Sequence, residues 1–220
     1  MTNKLSIAAL ALAIIAGGTW FLSRPTAPTD PLFGAALAQD AEADTSGIIE
    51  MVQGSEDATV EVIEYASFTC PHCANFHADQ YPQIKANYID TGKVRFVYRE
   101  IYFDRPGLWA SMVARCGDQM RFFGIADMIY DQQRDWASAG DPATIANSLR
   151  NIGKIAGLTD EDLDVCMADA ETAQALYTWS EANREVDNIS STPSFVINGE
   201  LYSNMAYAEF ATILDEKLAE

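Results

Sequence analysis

The chain has 220 residues, 49% of them hydrophobic and 10% aromatic, which is enough apolar side chain for a sizeable core and excludes wholesale disorder. Acids outnumber bases 32 to 14, for a net charge of −18. A field of that sign repels nucleic acid and anionic membrane surfaces, so neither is an expected partner, and it says nothing about fold.

The N-terminus carries Lys4 and then the uncharged run LSIAALALAIIAGGTWFL, Leu5 to Leu22, which reads as an export signal. Ala36 and Ala38 form an A-x-A cleavage pattern before Gln39, some way beyond the apolar run. The run's 18 residues also reach the lower edge of what spans a bilayer. A retained anchor with its positive end inside is therefore the alternative. Either way the folded part is expected outside the cytoplasm, in the periplasm or cell envelope. Residues 1–38 then hold the signal or anchor and linker, and the Pro-, Ala- and Asp-rich composition after Leu22 continues to residue 46.

ATVEVIEYASF (58–68) is β-branched and apolar and predicts a buried strand ending at a cysteine pair. From Pro71 to about Ile89 the chain lacks glycine and places Phe76, Tyr81, Ile84 and Tyr88 at helical spacing, so a helix is predicted, ended by Thr91-Gly92. KVRFVYREIYF (93–103) predicts a second strand. Residues 105–188 then read as helical throughout, punctuated by Gly117, Gly140 and Gly157, with helix starts at Asp141-Pro142 and Thr159. STPSFVINGELY gives a strand, an Asn-Gly turn and a returning strand. A last helix is predicted from about Ala206 to Leu218.

Between the first strand and the first helix stands TCPHC, in which Cys70 and Cys73 enclose Pro71 and His72. Taken alone, such a pair is a redox couple, a structural disulfide or half a zinc site. Zinc needs two more ligands, and no second tight pair exists, because Cys116 and Cys166 lie 50 residues apart. His77, the remaining nearby candidate, is expected to face solvent. As a redox couple, Cys70 precedes a helix whose amides and macrodipole lower its thiol pKa below about 8.5. His72 adds a cation when protonated and a hydrogen-bond donor when neutral. A Cys70 pKa near ~4 would stabilise the reduced form by roughly 4 kcal/mol at pH 7, and so move the couple about 90 mV toward oxidising.

The order strand, helix, strand, helical block, hairpin, helix, together with VIEYASFTCPHC and TPSFVING, resembles the DsbA-like family of exported thiol–disulfide oxidoreductases over roughly residues 48–220. The resemblance implies an α/β, thioredoxin-like fold over 47–104 and 189–220, with a helical domain, 105–188, inserted between them. It implies an oxidase that donates the Cys70–Cys73 disulfide to reduced exported proteins, needs no cofactor, acts as a monomer and is reoxidised by a membrane quinone-linked partner of the DsbB kind. Glu64 aligns with the family's buried acid beneath the second cysteine and would exchange the Cys73 proton. Thr192-Pro193 aligns with the family's cis-proline loop, where Thr192 backbone groups pair with an extended substrate.

Two rival readings stand beside this one. A reductase or isomerase would use the same chemistry, although isomerases of this fold usually carry a separate dimerisation domain. A non-catalytic metal-binding or chaperone module would use the fold without the exchange. Cys116 and Cys166 are either small buried hydrophobes or, as an oxidising compartment favours, a structural disulfide. The family resemblance leaves that choice open, since some members have such a bridge and others lack it.

Overall fold

The computed structural model describes residues 43–220. The export signal or anchor, the A-x-A pattern and most of the linker lie outside the described residues. Five strands form one sheet in the order β1-β3-β2-β4-β5, where β1 is Met51–Gly54, β2 Val60–Ala66, β3 Val94–Glu100, β4 Ser194–Ile197 and β5 Glu200–Ser203. β2 and β3 pair in parallel and the other neighbours are antiparallel.

β2 is central, flanked by β3 and β4, and its side chains alternate between the two faces of the sheet. Val62 and Ala66 join the main core cluster, while Ile63 and Tyr65 join a smaller one on the opposite face. Glu64 shares the face of Val62 and Ala66. Its register partners are Tyr98 on β3 and Phe195 on β4. A carboxyl is thus placed in the middle of an apolar sheet face.

The sequence did not suggest β1, which lies at the sheet edge against β3. It ends at Gly54, whose φ is +93° and where a Cβ would sit 2.2 Å from the Val94 carbonyl oxygen, so only glycine fits. At the other edge Asn198 and Gly199 take φ of +46° and +84°, the paired left-handed conformations that a two-residue hairpin turn requires.

The single helix expected over 71–89 is broken. α1 runs Pro71–Asp79, α2 runs Tyr81–Ile84, and a π-helical turn follows at Lys85–Ile89. Pro82 is the reason: it has no N–H to give, and its ring crowds the carbonyl four residues back. The helix restarts with Pro82 in its first turn.

Between β3 and β4 lie six helices: α3 Arg105–Cys116, α4 Asp118–Asp131, α5 Gln133–Ala137, α6 Pro142–Ile155, α7 Asp160–Ala168 and α8 Ala170–Val186. Four of these, α3, α6, α7 and α8, start with a cap from a short polar side chain. Asp104, Asp141 and Asp169 accept from backbone N–H groups three residues on, and Thr159 forms a reciprocal capping box with Asp162. Cys116 and Cys166 are disulfide-bonded, with Cα atoms 5.8 Å apart, joining the end of α3 to α7.

The insert is tied to the sheet through Glu100 at the end of β3. Arg115 Nε and Nη2 donate to its two carboxylate oxygens at 2.7 and 2.6 Å, and Ser180 Oγ donates to its carbonyl at 2.7 Å. α9, Tyr207–Leu218, packs Phe210 and Leu214 into the main core. Among the described residues no helix is long and apolar enough to cross a membrane.

Candidate active site

Cys70 is the N-cap of α1, with extended φ and ψ and Pro71 at the first helical position. Proline costs nothing there, because the first N–H groups of a helix have no intrahelical partner. As a thiol, Cys70 makes no capping hydrogen bond; its S–H lies 3.5 Å from the Thr192 carbonyl oxygen as donor. As a thiolate it is stabilised first by the Cys73 thiol, which donates to it. Burial opposes that gain, and a Thr192 side-chain bond and the backbone N–H groups of Cys73 and His72 add to it. The sum holds Cys70 at a pKa of about 5.

Cys73, one turn along α1, has the opposite environment. Burial, the hydrogen bond it gives to Cys70, and the negative charge of Glu64 push its thiol far above the ordinary cysteine range. Cys73 is 0% exposed and Cys70 is 9% exposed. Both are buried, but one sulfur is a stabilised anion with slight exposure and the other a sealed thiol.

His72 is exposed, and its backbone N–H is one of the donors that stabilise the Cys70 thiolate. Pro193 is buried and the Thr192-Pro193 bond is cis, with the Thr192 carbonyl facing Cys70. Glu64 is fully buried and bonded by His77, whose Nε2 lies 3.0 and 3.2 Å from its two oxygens. The expectation of a solvent-facing His77 is therefore corrected. Cys73 is buried on α1, and residue 77, four positions later, lies on the same helical face. Its ring stacks on Tyr130 at 4.3 Å between centroids. Cys116 and Cys166 are in the insert and bonded to each other.

Sequence reasoning missed Gln133, at the start of α5. It is buried, and its Nε2 donates to the carbonyls of Phe68 and Cys70 at 2.8 and 2.9 Å. The insert thus holds the backbone that presents the reactive sulfur. No local pattern signals a contact across that sequence distance.

Comparison with known proteins agrees with this geometry. The Thioredoxin_4 family model, described as thioredoxin, matches residues 47–216. A Rickettsia bellii protein named as a protein-disulfide oxidoreductase is 33% identical over 172 residues, 78% of this chain and 65% of that protein. The chain thus spans less than two thirds of that relative's length. Disulfide bond formation protein D of Bacillus subtilis is 26% identical over 76% of each chain. Among solved structures, alpha-DsbA1 of Wolbachia pipientis superposes with a TM-score of 0.71 at 23% identity, covering 81% of this chain and 96% of that one.

Proposed function

Because the chain belongs to the thioredoxin family, among its DsbA-like members, we propose that it is a protein disulfide oxidoreductase that donates the Cys70–Cys73 disulfide to reduced proteins. The observation that carries this reading is the split between the two sulfurs. Cys70 keeps slight exposure and is held at a pKa of about 5, while Cys73 is sealed and kept protonated.

In the forward step a substrate thiolate attacks Cys70 Sγ of the oxidised pair. The Cys70–Cys73 bond breaks, a substrate–Cys70 disulfide forms, and Cys73 leaves as a thiolate that takes up one proton. A second substrate thiolate then attacks the substrate sulfur of that mixed disulfide and releases Cys70 as a thiolate. The substrate loses two electrons and the pair gains them. The released Cys70 sits about two units below pH 7, worth roughly 3 kcal/mol or about 60 mV in the direction of donation.

Export supports the setting of this activity: Leu5 to Leu22 is uncharged and follows Lys4, and disulfide donation needs an oxidising compartment. The substrates are then reduced exported proteins, and the reduced pair is recharged by a membrane quinone-linked oxidant of the DsbB kind. The test is a reduced two-cysteine peptide mixed with oxidised protein. Stoichiometric peptide disulfide, lost in Cys70→Ser, supports donation. Peptide left reduced, with oxidised peptide instead being opened by the reduced protein, identifies a reductase.

A further inference from the structure

Donation leaves Cys73 needing a proton in a place solvent does not reach, since it and Glu64 are both 0% exposed. A sealed carboxyl transfers a proton only if another group supplies it. His77 is positioned to do so. Its Nε2 faces both Glu64 oxygens, at 3.0 and 3.2 Å, while Nδ1, at the other end of the ring, makes no hydrogen bond and lies 3.9 Å from Asp127 Oδ1. The Asp127 side chain is 49% exposed. The imidazole therefore stands between the acid that acts on Cys73 and a carboxylate in contact with water.

We infer that His77 holds the exchange proton: it passes Nε2–H through the Glu64 carboxyl to Cys73 when that sulfur leaves, and takes the proton back when the pair is reoxidised. This rests on the thiol–disulfide exchange proposed above. The oxidised enzyme carries imidazolium and carboxylate; the transfer leaves neutral imidazole, carboxylate, Cys73 thiol and Cys70 thiolate, and water reached past Asp127 then returns a proton to the ring, which is protonated at neutral pH in the reduced pair. One proton moves to Cys73 and one enters from water. Reoxidation runs both steps backwards, so the ring ends each cycle in its starting state. His77 acts through Glu64 and is a proton-positioning residue.

Two features separate this from a buried ion pair kept for stability. Such pairs stabilise little compared with apolar packing, and a purely structural histidine would bond both ring nitrogens, because an unmade buried hydrogen bond is costly. The surroundings also suit a proton carrier. Facing the ring are Glu64 from β2, Tyr98 from β3, Tyr81 from α2, and Asp127 and Tyr130 from α4, with Cys73 one turn earlier on its own helix. Burial holds all three phenols above their ordinary pKa, so they stay neutral and do not take the proton. Burial disfavours the charged ring, but Glu64 and Asp127 outweigh it and raise His77 to about 9.

The test mixes the oxidised full chain rapidly with dithiothreitol and follows opening of the Cys70–Cys73 bond from pH 5.5 to 10, per dithiothreitol thiolate. The wild-type rate should be level through neutral pH and fall near pH 9. His77→Gln keeps a donor for Glu64 but cannot titrate; it should be slower by at least roughly tenfold at neutral pH and show no fall. Asp127→Asn, at a half-exposed position, provides a second variant that packing does not compromise, and it should move the fall to lower pH. A folded His77→Gln within twofold of wild type, or an Asp127→Asn profile that does not move, overturns the inference and leaves the exchange reading standing. A wild-type protein that does not react with dithiothreitol at all overturns both.

Discussion

Gln133 donates its side-chain N–H to the carbonyl of Cys70 across 2.9 Å, so a helix of the insert grips the residue that carries the reactive sulfur. The same nitrogen serves the Phe68 carbonyl at 2.8 Å. The Cys70 carbonyl has other donors, the N–H groups of Cys73 and Ala74 at 3.1 and 3.2 Å. Phe68 depends more heavily on Gln133. Gln133→Leu, similar in volume, should lower stability by about 1–3 kcal/mol, the cost of a buried carbonyl left unpaired. Denaturant unfolding of the reduced protein measures it, and peptide oxidation should slow in parallel. Unchanged unfolding would mean the loop is held without the insert.

The reduced protein should show thiolate ultraviolet absorbance with a midpoint near pH 5, absent in Cys70→Ser. The largest stabilising contribution is the hydrogen bond from Cys73. Cys73→Ala should therefore raise the midpoint, and Cys73→Ser, which keeps a donor, should raise it less. The sign carries into stability. A folded pKa below the unfolded value contributes stability that is full above the unfolded pKa and is lost as pH falls through about 5. The reduced form should thus lose stability relative to the oxidised form as pH drops from 9 to 5. Equal midpoints in all three proteins would contradict the sulfur-to-sulfur bond.

His72→Leu separates the two ways His72 can act, because the backbone N–H that reaches Cys70 remains and the exposed ring goes. Loss of the imidazole should raise the Cys70 midpoint and make the pair less oxidising by tens of millivolts, about the scale of one pKa unit. A potential equal to wild type would leave the N–H as the whole of the residue's contribution.

The Cys116–Cys166 bond closes a loop across 50 residues, worth roughly 4 kcal/mol in the chain-entropy model. The double variant Cys116→Ala/Cys166→Ala should melt lower yet still oxidise peptides, since the bond lies outside the site. Mild reduction should open Cys70–Cys73 first, because the stabilised Cys70 thiolate favours opening that bond. Mass spectrometry of the alkylated protein decides it: four modified thiols under those conditions would contradict a structural role.

Much of the fold is readable from local pattern. The β-branched run of β2, the Asn-Gly turn and the Asp and Thr caps of the insert each act within a few residues, so their signals survive in the sequence. β1 is four residues, MVQG, with no alternation to mark it, and it exists because β3 offers an edge. The break at Pro82 is visible in the sequence as a proline within a helical pattern, although the apolar spacing continues on both sides of it. Cys70 and Cys73 are legible because their chemistry depends on spacing. His77 needed one further step, that a residue four after a buried cysteine is buried too. Gln133 reaches Cys70 across 63 residues, a contact that only the packed insert creates.

The reduction potential of the Cys70–Cys73 pair, from its equilibrium with glutathione, tests disulfide donation most directly. A thiolate at a pKa of about 5 beside a sealed thiol favours the reduced pair. The potential should therefore lie above about −180 mV, toward the roughly −120 mV of the strongest oxidants of this fold. A value at or below about −230 mV, approaching the roughly −270 mV of thioredoxin, would contradict it.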